Sequence, residues 1–207
     1  MESLQIAIIG GTGRLGSTIA GLYKKSILIS SKSEKIDFEN IDVFIDTSAP
    51  NIIEKYLKEI INHNKPLVVG STGHNTHTER SLVEASKTIP VLIAPNFSLG
   101  ITLLKNLLKH IPFTPEKIIE THHLNKKDSP SGTAKLLSSL FSPKPPIESI
   151  RKEGAIGTHT ICYCLEGEEI EITHKAKSLE VFAKGALAAA SFLSKKGKGL
   201  YTMEDIY

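Results

Sequence analysis

The 207-residue chain is long enough for one large domain or two small ones, and 40% hydrophobic residues can supply a core. The formal net charge is +3, basic residues are dispersed and aromatics are only 6%, so a small anionic ligand is favoured over nucleic acid. Apolar runs are far shorter than the roughly 20 residues of a membrane span, and no basic and apolar leader opens the chain, so we expect a cytoplasmic protein without a membrane partner.

The first hundred residues alternate short apolar runs with amphipathic segments. Helices are predicted after the first strand, along 51–63 and through 78–88, because apolar residues recur there at helical spacing. The apolar runs predict strands at 5–10, 26–30, 43–46, 66–70 and 91–94. Strands separated by helices form parallel sheets through right-handed crossovers, so an α/β domain is expected here.

A glycine-rich turn, IIGGTGRLG, joins the first strand to the first helix. Its small residues let the backbone approach a pyrophosphate, and the helix N-terminus supplies N–H groups. A tight turn without a ligand is the alternative, but the place of the turn in an alternating chain favours a Rossmann-like nucleotide-binding domain over residues 1–98. The predicted cofactor contacts in this turn are Gly10, Gly11, Thr12, Gly13, Arg14 and Leu15.

The end of the second strand bears on which coenzyme is bound. An acidic residue usually holds the adenosine ribose there, but this chain has Ser30, Ser31 and Lys32. Hydroxyls and a lysine suit a 2′-phosphate, so we expect NADPH or NADH with NADPH favoured. The alternative, that Lys32 is a solvated surface residue, stays open.

Two further turns, VVGSTG and APNFSLG, follow later strands of the predicted sheet. Ligands of open parallel sheets bind beyond the carboxyl ends of the strands, where both turns would lie. We expect Phe97 to flank a nicotinamide ring and Asn96 to meet its amide. The predicted cofactor contacts in these turns are Gly70, Ser71, Thr72, Ala94, Pro95, Asn96 and Phe97.

After about residue 98 the pattern changes to that of an α+β domain, predicted over 99–180 with a mostly antiparallel sheet. Two adjacent strands within 158–176 meet at Gly167. Before them, the sequence predicts a helix at 101–111, a strand at 117–120 and a helix at 131–141. A last helix, rich in Gly and Ala and therefore suited to close packing, is expected to carry residues 181–207 back to the first domain.

The stretch ETHHLNKKDSPSGTAK, residues 120–135, concentrates the chemistry of the chain. His122 can exchange a proton near neutrality and Lys126 supplies a cation. Ser131 is a predicted helix N-cap, so the amides near Gly132 and Thr133 would face a carboxylate.

We predict no metal site, because adjacent histidines cannot easily chelate one ion and no Cys or carboxylate partner is suitably spaced. Cys162 and Cys164 lie two apart in a predicted strand and are read as reduced thiols. Five other histidines are read as structural or exposed, namely His74, His77, His110, His159 and His174.

The motifs GGTGRLG, VVGSTG, APNFSLG, ETHHLNKKDSPSGTA and GEEIEITHKA, in this order, resemble those of the dihydrodipicolinate reductases, also called 4-hydroxy-tetrahydrodipicolinate reductases. The resemblance runs nearly end to end. It implies reduction of 4-hydroxy-tetrahydrodipicolinate, via dihydrodipicolinate, to tetrahydrodipicolinate with NADPH or NADH in diaminopimelate and lysine biosynthesis. It also implies a homotetramer assembled through the sheet of the second domain.

The same resemblance assigns roles to residues of the motifs. It implies that His122 and Lys126 are catalytic, and that the substrate carboxylates are held by His123, Lys126, Gly132 and Thr133.

The chain departs from the family pattern at three positions. Thr47 stands where the family has an aromatic residue, Glu153 where it has glycine and Leu179 where it has arginine. A reductase of another small carbonyl or imine substrate, or a nucleotide sensor that has lost catalysis, therefore stays open.

Overall fold

The computed structural model describes residues 4–30, 33 and 36–207, and Lys32 lies outside the described residues. The chain divides into two compact units. The first comprises Met1–Phe97 together with Phe182–Tyr207, and the second comprises Ser98–Val181.

The elements of the first 97 residues alternate between strand and helix. In chain order they are β1 (Ile6–Ile9), α1 (Arg14–Leu22), β2 (Ile27–Ile29), β3 (Val43–Asp46), α2 (Glu54–Asn62), β4 (Leu67–Val69), α3 (Thr76–Ala85) and β5 (Pro90–Ile93). Helix α2 begins three residues later than the sequence pattern predicts. Asn51 adopts a left-handed conformation with φ 64°, and a hydrogen-bonded turn follows it before the helix begins at Glu54.

The second unit follows with two helices and four strands. They are α4 (Leu99–Leu108), β6 (Lys117–His122), α5 (Gly132–Ser138), β7 (Ile147–Arg151), β8 (Gly157–Leu165) and β9 (Glu168–Ala176). The chain ends with α6 (Glu180–Leu193), β10 (Gly199–Tyr201) and a short 3₁₀ helix, Met203–Asp205. No sequence pattern predicted β7 or β10.

The first unit contains a six-stranded sheet in the order β10-β5-β4-β3-β1-β2, and all its pairs are parallel. Both faces are buried. Ile6 and Ile8 join the core on the side of α1 and α6, whereas Ala7 and Ile9 join the core on the side of α2 and α3. Residues of one strand serve two cores because successive side chains point to opposite faces.

Helix α6 packs closely within the first unit through its small residues. Ala183, Ala186 and Ala190 are fully buried in the core that also contains Val43 and Ile45.

The second unit contains a four-stranded sheet in the order β7-β6-β8-β9. Strand β6 pairs parallel with β7 and antiparallel with β8, and β8 pairs antiparallel with β9. Helices α4 and α5 cover one face, where Leu104 and Leu137 pack against Ile118 and Ile161. The predicted fold class, a Rossmann-like domain with an α+β domain carrying a mostly antiparallel sheet, is confirmed.

Strand β6 alternates strictly between half-buried and buried residues, so Ile118, Glu120 and His122 share the face that the helices cover. This alternation places the polar side chains of Glu120 and His122 in a buried environment. Within the described part of the chain, no helix is both long and apolar enough to cross a bilayer.

Candidate active site

The glycine turn of the first unit is tightly constrained. Gly10 has φ +77°, and a Cβ there would come within 2.7 Å of Ser48 Cα. A Cβ on Gly16 would lie 2.5 Å from the carbonyl oxygen of Gly10. Only glycine therefore allows helix α1 and the loop after β3 to approach the turn so closely.

Helix α1 begins directly at this turn, with Gly13 as an extended N-cap and no capping side chain. Its first-turn amides suit an anionic group. Beside the turn lies a cavity of about 290 Å³, which Gly10, Thr12 and Gly13 line together with the end of β2 and the start of α2. The donor groups and the size of the cavity fit part of a dinucleotide.

The other predicted residues of this turn occupy different positions. A Cβ on Gly11 would come 2.7 Å from the Leu28 side chain, and Leu15 packs against the core. Arg14 is exposed at the start of α1.

The loop after β4 is fixed by a chain of hydrogen bonds. The Asn51 amide donates to His74 Nδ1 at 3.0 Å, and His74 Nε2 lies 2.9 Å from Ser71 Oγ. Because Nδ1 accepts, Nε2 carries the proton and donates to Ser71, which in turn donates to the buried carboxylate of Asp46. His74, read from the sequence as structural or exposed, thus orients the loop that contains Gly70 and Thr72.

The loop after β5 packs against the same region of the first unit. The ring of Phe97 is only 2% exposed and occupies the space that a Cβ on Gly70 would need. Ala94 is buried, Asn96 is half-buried and Pro95 is exposed. The contact of Phe97 with a nicotinamide ring stays a prediction.

In the second unit, Glu120 is completely buried and both of its carboxylate oxygens accept hydrogen bonds. His122 Nδ1 donates to Oε2. Arg151 Nη1 donates to Oε1 at 3.0 Å, and the Ser131 amide donates to the same oxygen at 3.3 Å. One carboxylate therefore joins His122 to the Ser-Gly-Thr turn and to β7.

This environment shifts two pKa values. Burial raises the pKa of the Glu120 carboxyl, but hydrogen bonds from neighbours that include His122 and Arg151 outweigh burial, and the pKa lies below its ordinary value. Burial lowers the pKa of His122 below its ordinary value even though Glu120 acts in the opposite direction. Lys126 and Arg151 lower the pKa of His122 further by their positive charge.

The loop between β6 and α5 carries the predicted lysine. Lys126 Nζ lies 2.7 Å from Asp128 Oδ1, and Arg151 Nη2 donates to the Asp128 carbonyl at 2.7 Å. Ser131 caps α5, as predicted, by accepting a hydrogen bond from the Ala134 amide at 3.2 Å. Around this cap Thr133 is buried, whereas His123 and Gly132 are half-buried.

Two further histidines lie on the same face of the sheet. The His159 ring is 2% exposed and stands edge-on to the His122 ring, with centroids 5.2 Å apart. Burial lowers the pKa of His159 to about 3, so the imidazole is neutral. His174 faces His159 at a centroid distance of 6.4 Å. Glu120 and His159 contact His122, and Arg151 bonds to Glu120, although no sequence pattern assigned these three residues to the site.

Sequence comparison settles the family. The family model "Dihydrodipicolinate reductase, C-terminus" matches residues 98–207, and the corresponding N-terminal model matches residues 19–97. The chain belongs to the dihydrodipicolinate reductase family.

Individual members of the dihydrodipicolinate reductase family match over nearly all of the chain. The 4-hydroxy-tetrahydrodipicolinate reductase of Thermosipho africanus is 37% identical over 211 residues, covering 98% of this chain and 97% of the relative. That of Buchnera aphidicola subsp. Cinara cedri is 38% identical over 212 residues, covering 88% of this chain and 78% of the relative.

A solved reductase of the same name shares the fold. The dipicolinate-bound dihydrodipicolinate reductase from Paenisporosarcina sp. TG-14 superimposes with a TM-score of 0.76 at 20% identity, covering 99% of both chains. Among the described residues, no group of three or more His, Cys, Asp or Glu side chains is arranged to hold a metal ion.

Proposed function

We propose that this chain reduces 4-hydroxy-tetrahydrodipicolinate, via dihydrodipicolinate, to tetrahydrodipicolinate with NADPH or NADH in diaminopimelate and lysine biosynthesis. The observation that carries the proposal is the buried Glu120–His122 pair linked to both the Lys126 loop and the Ser131 turn in a member of this reductase family. The names of the relatives and the dipicolinate bound to the structural neighbour support this substrate class.

The cofactor residues belong to the first unit. When bound, the reduced nicotinamide supplies the hydride. We assign the pyrophosphate of the cofactor to the turn that begins at Gly10 and to the first-turn amides of α1, because the cavity and the uncapped helix favour an anion there. The loops at Gly70 and Asn96 are assigned to the nicotinamide end of the cofactor. The series of hydrogen bonds that runs from Asn51 to Asp46 holds the Gly70 loop in place.

The substrate residues belong to the second unit. We assign the two carboxylates of the ring to His123, Lys126, Gly132 and Thr133, as the family resemblance implies. Lys126 contributes a cation that is 23% exposed in its side chain and therefore accessible, and Asp128 limits its movement.

Two groups can supply protons. Addition of hydride to the conjugated imine leaves an electron-rich enamine, and one proton added at carbon completes the reduction. We assign this proton to Lys126, with His122 as a neighbouring donor or relay. General acid catalysis of this kind typically contributes about a hundredfold to ten-thousandfold in rate.

The proposal is tested by following NADPH absorbance with the product of the preceding synthase supplied as substrate. We expect rapid oxidation by the wild type and loss of about a hundredfold or more of kcat in Lys126→Ala. Lys127→Ala, which alters the exposed neighbour, is the matched control and should retain activity. Binding of NADPH without turnover would instead indicate a sensor, and turnover of other small imines alone would indicate a different reductase.

We further propose that NADPH is preferred and that Lys32 contributes to this preference by pairing with the 2′-phosphate. Lys32→Glu should raise the efficiency with NADH relative to NADPH, whereas Lys24→Glu, in the exposed turn that follows α1, should not. An unchanged ratio in Lys32→Glu would contradict this assignment.

We also propose a homotetramer assembled through the second unit's sheet, to be measured by light scattering.

A further inference from the structure

We propose that Glu120 and Arg151 are positioning residues of this active site. Glu120 sets the tautomer and orientation of His122, and Arg151 ties Glu120 to the loop that carries Lys126. The inference rests on the proposed function, since it concerns how the two assigned proton donors are held.

The hydrogen bond to Glu120 determines the tautomer of His122. An ionised carboxylate only accepts hydrogen bonds, so the bond between Glu120 and His122 Nδ1 requires the proton on Nδ1. The proton that His122 exchanges is therefore the one on Nε2. Without Glu120 either ring nitrogen could carry the proton of the neutral form, and the ring could rotate.

The space beside His122 Nε2 depends on a glycine in the neighbouring strand. A Cβ on Gly157, in the neighbouring strand β8, would come within 3.2 Å of His122 Nε2 and 3.5 Å of Cδ2. The glycine leaves this edge of the imidazole uncrowded while Glu120 holds the opposite edge. Strand β8 and strand β6 thus determine together which nitrogen can meet a substrate.

Arg151 links Glu120 to the loop that carries Lys126. Arg151 uses Nη1 for Glu120 Oε1 at 3.0 Å and Nη2 for the Asp128 carbonyl at 2.7 Å. The Asp128 carboxylate in turn pairs with Lys126 at 2.7 Å. A planar guanidinium can make both bonds at once, so one side chain fixes the distance between the His122 strand and the Lys126 loop.

The charged and titratable groups facing His122 come from several elements. Glu120 lies on the same strand, Arg151 on β7 and His159 on β8, and Lys126 lies in the loop that follows β6. Glu120 is the anion of this set, and it opposes the effect of burial. Its removal leaves His122 beside two cations, so the protonated form of His122 is disfavoured.

A simple structural ion pair between Glu120 and Arg151 is the competing explanation, because buried ion pairs often affect stability alone. The tautomer of neutral His122, which the nitrogen shifts of an NMR titration report, separates the two cases. A pair that serves stability alone lowers the unfolding temperature when it is broken, but it leaves the Nδ1–H tautomer and the kcat of the folded enzyme unchanged.

The test compares Glu120→Gln with the matched control Glu148→Gln, which changes an exposed carboxylate of β7 in the same sheet. The His122 imidazole is titrated by NMR in both variants and the wild type, and kcat and KM are measured against pH. In Glu120→Gln we expect a lower His122 pKa, a basic limb of kcat moved to lower pH and kcat at neutral pH reduced at least about tenfold. Glu148→Gln should behave as the wild type.

An unchanged His122 titration and pH profile in Glu120→Gln, with only a lower unfolding temperature, would overturn the proposal. The NMR titration needs no turnover, so a wild type that does not oxidise NADPH refutes the proposed function and leaves the role of Glu120 to be decided by the titration.

Arg151→Lys provides a second variant that keeps the charge and removes the two-armed bridge. We expect its kcat to fall at least about tenfold while its KM for NADPH stays near that of the wild type. Wild-type kcat in Arg151→Lys would refute the role of Arg151, and this comparison also applies if Glu120→Gln fails to fold.

Discussion

His122 Nδ1 donates a hydrogen bond to the carboxylate of Glu120, two residues earlier on the same face of β6. Strand geometry places residues i and i+2 side by side, so this local arrangement needs no long-range contact. What the long-range fold adds is burial of the pair and the guanidinium of Arg151, which compensates the buried negative charge.

Activity should depend on the protonation of His122. Burial lowers the pKa of His122 below its ordinary value, so protonated His122 is lost as pH rises through that lower value. We expect kcat to decline with rising pH with a midpoint below 6.5, the ordinary imidazole value. His122→Gln should abolish this dependence, whereas His110→Gln, at an exposed turn position beyond the end of α4, should preserve it. A profile with the same midpoint in His122→Gln would show that another group titrates.

Gly157→Ala should impair catalysis with little effect on folding. The added methyl would lie 3.2 Å from His122 Nε2, so the ring must shift by a few tenths of an ångström. We expect kcat to fall by about tenfold, because proton transfer is sensitive to such displacements. Steady-state kinetics and thermal unfolding would be compared with Gly197→Ala, whose methyl has open space. Equal kcat in the two variants would contradict the tight packing of His122.

His159 should contribute to acid sensitivity of the fold. Burial lowers its pKa from an ordinary value of 6.5 to about 3, so the unfolded chain binds one more proton than the folded chain between these pH values. The contribution of neutral His159 to the free energy of unfolding is fully present above pH 6.5 and is lost as the pH falls toward 3. In His159→Gln we expect a shallower decline in the free energy of unfolding, measured with urea at several pH values. His110→Gln should keep the wild-type slope.

Gly185→Ala should destabilise the first unit. An alanine Cβ in α6 would collide with the carbonyl oxygen of Phe97, and the rigid backbone cannot yield easily. We expect a loss of about 1–3 kcal/mol in the free energy of unfolding. Gly21→Ala, in α1 with open space around its Cβ, should instead stabilise by about 0.5–1 kcal/mol. Equal effects in denaturant unfolding would refute the close approach of α6 to Phe97.

The sequence by itself determined the features that depend on near neighbours. Apolar runs between amphipathic segments predicted β1 to β5, and the pattern after the glycine turn predicted that a helix, α1, follows β1. The cap at Ser131 was predicted correctly because capping depends on residues within one helical turn. Strands β7 and β10 were missed because none of their residues is buried, so neither strand shows the continuous apolar run that marks a buried strand.

Only the tertiary structure decided which residues meet at the second-unit site. Arg151 is 31 positions from Glu120 in the chain and reaches it because β7 pairs parallel with β6. His159 lies opposite Glu120 through the antiparallel register of β6 and β8. Periodicity specifies which face of a strand is buried, but strand order and register arise from long-range pairing and packing, so no local pattern could have placed these residues beside His122.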